Sequence, residues 1–182
     1  MIGRFLRWTG LTRPAFLIGL TLGLVGGAGG MLIGFPYLFP PQPLNEARPA
    51  EATGLAEGIR ASIPFRFDEA APARDFLHWA NGTGAIIRTE DGYRLHLSAD
   101  FSAAPGPDYV IYLTTRPITG KPDFALDQGK LELVKLKAFS GSQNYALPNE
   151  VGGTPFDPAR FHAVTIWCRA FNAYIGTALL EK

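Results

Sequence analysis

Cys168 is the residue whose type alone promises redox chemistry, because a thiolate is a nucleophile and a metal ligand. It is the sole cysteine among 182 residues, so it has no disulfide partner within the chain. No Cys-x-x-Cys or Cys/His cluster suggests structural zinc. Cys168 closes the run 161–168, FHAVTIWC, which reads as a strand. Alternation puts Cys168 on one face with Val164 and Ile166, and Thr165 with Trp167 on the other. Two readings stay open. Free cysteine is among the most buried residue types and can simply fill a core. A reactive thiol needs a partly exposed, electropositive setting, which a place at a strand end allows. Arg169 follows directly, but its parity points it away from the sulfur.

Other chemistry-bearing residues are scattered. His78, His96 and His162 could ligate haem or a metal. His96 alternates onto the polar face of its strand and reads as solvent-facing. His162 and Cys168 would share a face but lie roughly 20 Å apart at about 3.3 Å per residue, too far to act together. Asp100 and Asp108 could hold a cation, but Asx-turn hydrogen bonding accounts for them more simply. Gln143, Asn144 and Tyr145 could line a pocket or satisfy backbone groups in a loop. Trp167, Trp79, Phe171 and Tyr174 are core material or an aromatic floor under a ligand near Cys168. No Gly-x-Ser-x-Gly, His-Glu-x-x-His or P-loop is present, which argues against a classical enzyme.

The elements that would position these residues are strands. Tyr93, Leu95 and Leu97 alternate with Arg94, His96 and Ser98, and Asp91-Gly92 before them is a hairpin turn. Residues 108–114, DYVIYLT, are apolar on both faces and read as a central strand. Residues 130–137 and 173–180 add further strands, and residues 63–67 could form an edge strand or docking piece. Short strands separated by Pro- and Gly-rich connectors predict an all-β fold, an antiparallel β-sandwich or barrel-like domain. No stretch of this half has a helical period.

Residues 15–35 run without a charge for 21 residues, about 31 Å as a helix and close to a bilayer core of ~30 Å. Arg4, Arg7 and Arg13 precede the run, and no Lys or Arg follows until Arg48. The positive-inside rule then puts the N-terminus in the cytoplasm and the rest outside, periplasmic in a Gram-negative cell. A cleaved signal is the rival reading, but the run is long for one. The expected division is a cytoplasmic tip at 1–14, a transmembrane anchor at 15–39, a Pro/Ala/Glu-rich linker at 40–73 and the β domain at 74–182. Gly19, Gly23 and Gly27 form a small-xxx-small ridge, as do Gly26, Gly30 and Gly34, which suits a helix partner besides the lipid bilayer. Residues 74–182 carry eleven basic and eleven acidic residues, so no basic stripe points to nucleic acid.

Several segments, in order, resemble the DM13 domain family: Gly82-Thr-Gly-Ala-Ile, Asp100-Phe-Ser with Gly106-Pro-Asp, Val110-Ile-Tyr-Leu, Gly129-Lys-Leu, Gly141-Ser-Gln-Asn-Tyr with Leu147-Pro, and Ile166-Trp-Cys-Arg-Ala-Phe. The similarity spans roughly 76–180. It implies an extracytoplasmic β domain with a role in electron transfer through a shared cysteine, which maps to Cys168, and with haem as a candidate bound group. In animals such domains occur beside DOMON and cytochrome b561 modules. Ser142 stands where many members have an acidic residue. The expectation is therefore a membrane-anchored redox module acting through Cys168, with Trp167 beside any bound group. The alternative is a non-enzymatic binding or scaffolding domain of the cell envelope in which Cys168 is core.

Overall fold

The computed structural model describes residues 14–67 and 74–181. It divides into two compact units, one ending at Phe39 and one beginning at Pro40.

The first unit contains helix α1 (Pro14–Leu38). Its stretch Pro14–Leu32 is long and apolar enough to cross a membrane, a test that a signal sequence near the N-terminus also passes. Arg4, Arg7 and the rest of the tip lie outside the described residues. The Thr21 hydroxyl donates to the Leu17 carbonyl at 2.9 Å, so the polar side chain is satisfied within the helix. Pro36 does not end the helix. It sits in the last turn, and Phe39 N–H still bonds the Phe35 carbonyl at 2.8 Å. Proline this late loses a single helical bond.

The second unit is built on a nine-stranded sheet. Its strands are β1 (Leu44–Asn45), β2 (Ser62–Phe67), β4 (Thr83–Thr89), β5 (Gly92–Leu97), β7 (Tyr109–Thr114), β8 (Leu131–Lys135), β9 (Gly141–Ala146), β12 (Ala163–Cys168) and β13 (Ala173–Leu180). The order is β1-β9-β5-β4-β2-β13-β12-β7-β8, antiparallel except for β1 beside β9. Two small ribbons pair β3 (Ala80–Asn81) with β6 (Ser102–Ala103), and β10 (Glu150–Val151) with β11 (Thr154–Pro155). A single core cluster draws Phe65 and Phe67 from β2, Leu95 and Leu97 from β5, Leu113 from β7 and Ile166 from β12. Strands far apart in the sheet share that core, so the sheet curls around it in a sandwich-like way. It does not close into a barrel: β1 and β8 remain its ends. A cleft of about 580 Å³ lies between β8 and residues 146–152.

The expected strands are present. β4 and β5 form the expected hairpin, but its two-residue turn is Glu90-Asp91, one position earlier than predicted: Gly92, at φ +136°, already belongs to β5 and pairs with Thr89. β7 is buried along its whole length, which fits its place between β8 and β12. Among the described residues of this unit the one α-helix is α2 (Lys121–Leu126), only six residues long and too short to show a period.

Residues 40–67 differ from a free tether. β2 lies inside the sheet between β13 and β4, not at its edge. Phe65 and Phe67 are 1% and 0% exposed, which supplies the hydrophobic reason for insertion. Pro64 is tolerated there because its carbonyl bonds Glu181 N–H, so its missing donor faces the side where β13 ends. Ahead of β2, residues 44–53 form a strap over the sheet. Glu46 accepts from Lys137 Nζ at 2.8 Å and from Asn144 N–H at 2.7 Å, and Ala52 N–H bonds the Arg88 carbonyl at 2.8 Å.

His96 faces this strap and not solvent. It is 4% exposed, and its Nδ1 lies 2.7 Å from Asn144 Oδ1. Asn144 Nδ2 donates in turn to the Ala47 carbonyl at 2.8 Å. Gln143 and Tyr145 satisfy backbone groups between β8 and β9: Gln143 Nε2 donates to the Ala138 carbonyl and Tyr145 Oη accepts from Lys137 N–H.

Candidate functional site

Trp167 and Cys168 end β12 and project from opposite faces of the sheet. On the core face, Cys168 is flanked in register by Tyr109 of β7 and Ala173 of β13. The sulfur belongs to the main core cluster with Val164 and Ile166, and the residue is 2% exposed. On the other face, Trp167 is flanked by Val110 and Tyr174. These join Tyr112 and Ile118 in a second cluster, with Phe124 packed against it. The alternation read from the sequence therefore holds on both faces. A bulge helps to set it. Register shifts between Ile166 and Trp167, so that Ile166 pairs with Gly176 and Trp167 with Tyr174. The extra residue, Ile175, enters the main core.

The outer face is roofed by the segment joining β7 to β8. Phe124 from α2 lies flat on the Trp167 indole, with ring centroids 4.0 Å apart and planes at 6°. It meets Tyr112 edge-on at 4.9 Å. Lys130 Nζ stands 5.0 Å from the centre of the Phe124 ring. The roof is fastened by Asp127, which is wholly buried yet satisfied: its carboxylate accepts from Thr115 N–H, the Thr115 hydroxyl and Gly129 N–H. Beneath it, Thr114, Thr165 and Thr177 form a hydroxyl ladder across β7, β12 and β13, with steps of 3.2 and 3.0 Å.

Just past Cys168 the surface is charged. Arg169 Nη1 lies 3.0 Å from Glu132 Oε1, and its Nε lies 3.3 Å from Asp108 Oδ2. Lys135 Nζ lies 2.8 Å from Asp108 Oδ1. The Lys135 hydrogen bond, joined by Arg169, holds the Asp108 carboxyl below its ordinary range against the opposing effect of burial. The Tyr112 hydroxyl donates to Glu132 Oε2 at 2.6 Å. Burial first, then the bond to Glu132, pushes the Tyr112 phenol well above its ordinary value, so it is neutral at physiological pH.

The other candidates do not converge on Cys168. His78 bonds Asp75 through Nδ1, His96 lies under the strap, and His162 is exposed just before β12. Asp100 accepts from Thr83 N–H and its hydroxyl, while Asp108 is held by Lys135 and Arg169. Among the described residues no group of three or more His, Cys, Asp or Glu is disposed to hold a metal. Trp167 and Tyr174 share a face, but Trp79 pairs with Arg74 at 5.9 Å and Phe171 is exposed in the turn after β12. Haem does not fit at Cys168 as it stands. The residue is 2% exposed within the main core cluster, and Cys168 lines neither the cleft beside β8 nor one of about 410 Å³ near Arg60 and Tyr93.

Sequence reasoning did not single out Tyr112, Phe124, Asp127 and Glu132. Alternation marks Glu132 as outward-facing, but only the pairing of β7 with β8 brings it to Tyr112.

A curled, sandwich-like sheet with a Trp-Cys pair ending an inner strand defines the class: an all-β domain preceded by an apolar helix. A family model described as electron transfer DM13 matches residues 73–180, and the chain belongs to that family. No match was found among curated proteins or among solved structures.

Proposed function

We propose that this chain is a membrane-anchored electron-transfer domain that works by one-electron steps at the end of β12, with Cys168 as the redox sulfur. The family carries this reading, and the burial of Cys168 restricts the chemistry to steps that need no contact with the sulfur. At 2% exposure the thiol cannot meet a second sulfur, so exchange with disulfides does not suit the native state. A one-electron step needs no such contact. Its balance is a thiol giving a thiyl radical, an electron and a proton. The electron passes to a one-electron oxidant docked on the domain, and the proton leaves by the exposed turn 169–172.

The same reading puts residues 1–14 in the cytoplasm and the domain outside it, periplasmic in a Gram-negative cell, supported by the arginines ahead of the apolar run. The ridge of Gly19, Gly23 and Gly27 offers α1 a close-packing face for a helix partner, with open space around each glycine.

The second reading is a tethered recognition domain in which Cys168 only fills the core, and the same burial favours it. Full-length protein in lipid nanodiscs separates the two. Flash-generated ruthenium(III) tris-bipyridine serves as oxidant, and its re-reduction is followed for wild type, Cys168→Ala and Trp167→Phe. The electron-transfer reading expects slower re-reduction in both variants, with folding retained. Unchanged rates in Cys168→Ala, with a thiol that titrates only after denaturation, would leave the recognition domain.

A further inference from the structure

The geometry points to Tyr112 as a second redox residue of the domain, oxidised by one electron with transfer of its phenolic proton to Glu132. This deepens the one-electron reading and rests on it.

Oxidising a phenol without removing its proton is costly, so a redox tyrosine needs a base already hydrogen-bonded to it. Tyr112 has one, with its hydroxyl 2.6 Å from Glu132 Oε2. The contrast with Tyr145 and Tyr93 is chemical. Tyr145 donates to the Gln143 amide oxygen, and Tyr93 accepts from Arg88. Amide and carbonyl oxygens are far weaker proton acceptors than a carboxylate, and a guanidinium is none.

Three further features suit the role. Arg169 holds Oε1 of Glu132 at 3.0 Å, which leaves Oε2 for the phenol and fixes the acceptor in place. The Tyr112 ring is 5% exposed, while the Glu132 side chain is half exposed, so the radical is sheltered and the proton has a route to water. Phe124 bridges Tyr112 to Trp167, touching both rings, and Trp167 adjoins Cys168. The step balances: a one-electron oxidant takes an electron from Tyr112, the O–H proton moves to Glu132, and a neutral phenoxyl radical and a carboxylic acid remain. An electron from a reductant, through Trp167, with return of the proton, restores the pair.

The test uses the full chain in lipid nanodiscs, flash-oxidised with ruthenium(III) tris-bipyridine, freeze-trapped and read by electron paramagnetic resonance. Wild type is expected to give a neutral tyrosyl signal that Tyr112→Phe abolishes; this variant keeps the ring and loses one hydroxyl. Glu132→Gln keeps the shape but removes the base, so the radical is expected to form about a hundredfold more slowly at neutral pH. It should then speed up as pH rises. A tyrosyl signal undiminished in Tyr112→Phe, or an unchanged rate in Glu132→Gln, would overturn the assignment. Cys168→Ala in the same experiment separates the two proposals. A Tyr112 signal with no effect of Cys168→Ala on oxidant re-reduction ends the cysteine reading and keeps the tyrosine. Slower re-reduction in Cys168→Ala with no effect of Tyr112→Phe does the reverse.

Discussion

Phe124 and Trp167 are stacked face to face, 4.0 Å between ring centres, although 43 positions separate them in the chain. The contact makes a six-residue helix the lid over one end of β12. It shields the indole while the sulfur of the next residue is shielded by the main core. The first prediction follows from it. Phe124→Ala removes the lid and one edge contact to Tyr112, and costs about 1–3 kcal/mol, less than a fully buried phenylalanine because Phe124 is half-buried. Trp167 emission should shift to the red and become more open to acrylamide quenching. Unchanged fluorescence would mean that the lid does not shield the indole.

Gly141 holds the strap. It has φ +85°, and a Cβ there would collide with the Leu44 carbonyl. Leu44 and Glu46 donate backbone bonds to Ser140 and Ser142 at 3.2 and 3.1 Å, so collision at Gly141 separates β1 from β9. Gly141→Ala is expected to cost about 1–3 kcal/mol, counting left-handed strain and lost strap contacts. Amide exchange should rise at Leu44 and Glu46 while the β12 amides stay protected. Equal loss of protection across the domain would contradict a locally detachable strap.

Acid should weaken the fold through carboxylates whose pKa lies lower in the folded state. Asp108 lies below its ordinary 3.8 through Lys135 and then Arg169, and Glu46 below its ordinary 4.5 through Lys137. In each case the unfolded chain takes up the proton first as pH falls. Their stabilisation is therefore complete above the unfolded values and is lost as pH drops through the folded ones. Urea unfolding midpoints should fall as pH drops below about 4.5. Asp108→Asn and Glu46→Gln should each flatten that slope. A slope unaltered in both variants would show that other carboxylates govern acid stability.

Much of the site was legible beforehand. Alternation alone put Cys168 with Val164 and Ile166 and set Trp167 opposite, because side-chain direction on a strand depends only on position parity. The ordered DM13-like segments identified the family. The same parity predicts an exposed His96. It does face away from the main core, but the strap covers that face, and no local pattern announces a cover supplied by residues 46 and 47.

The sequence by itself determined the apolar helix, the β character of the domain, the lack of a second cysteine and the two-faced end of β12, because each depends on composition or on spacing between near neighbours. Only the tertiary structure decided that β2 enters the sheet, that Phe124 roofs Trp167 and that Glu132 reaches Tyr112. Those contacts arise from strand order and register, which are fixed by the burial of distant segments around one shared core.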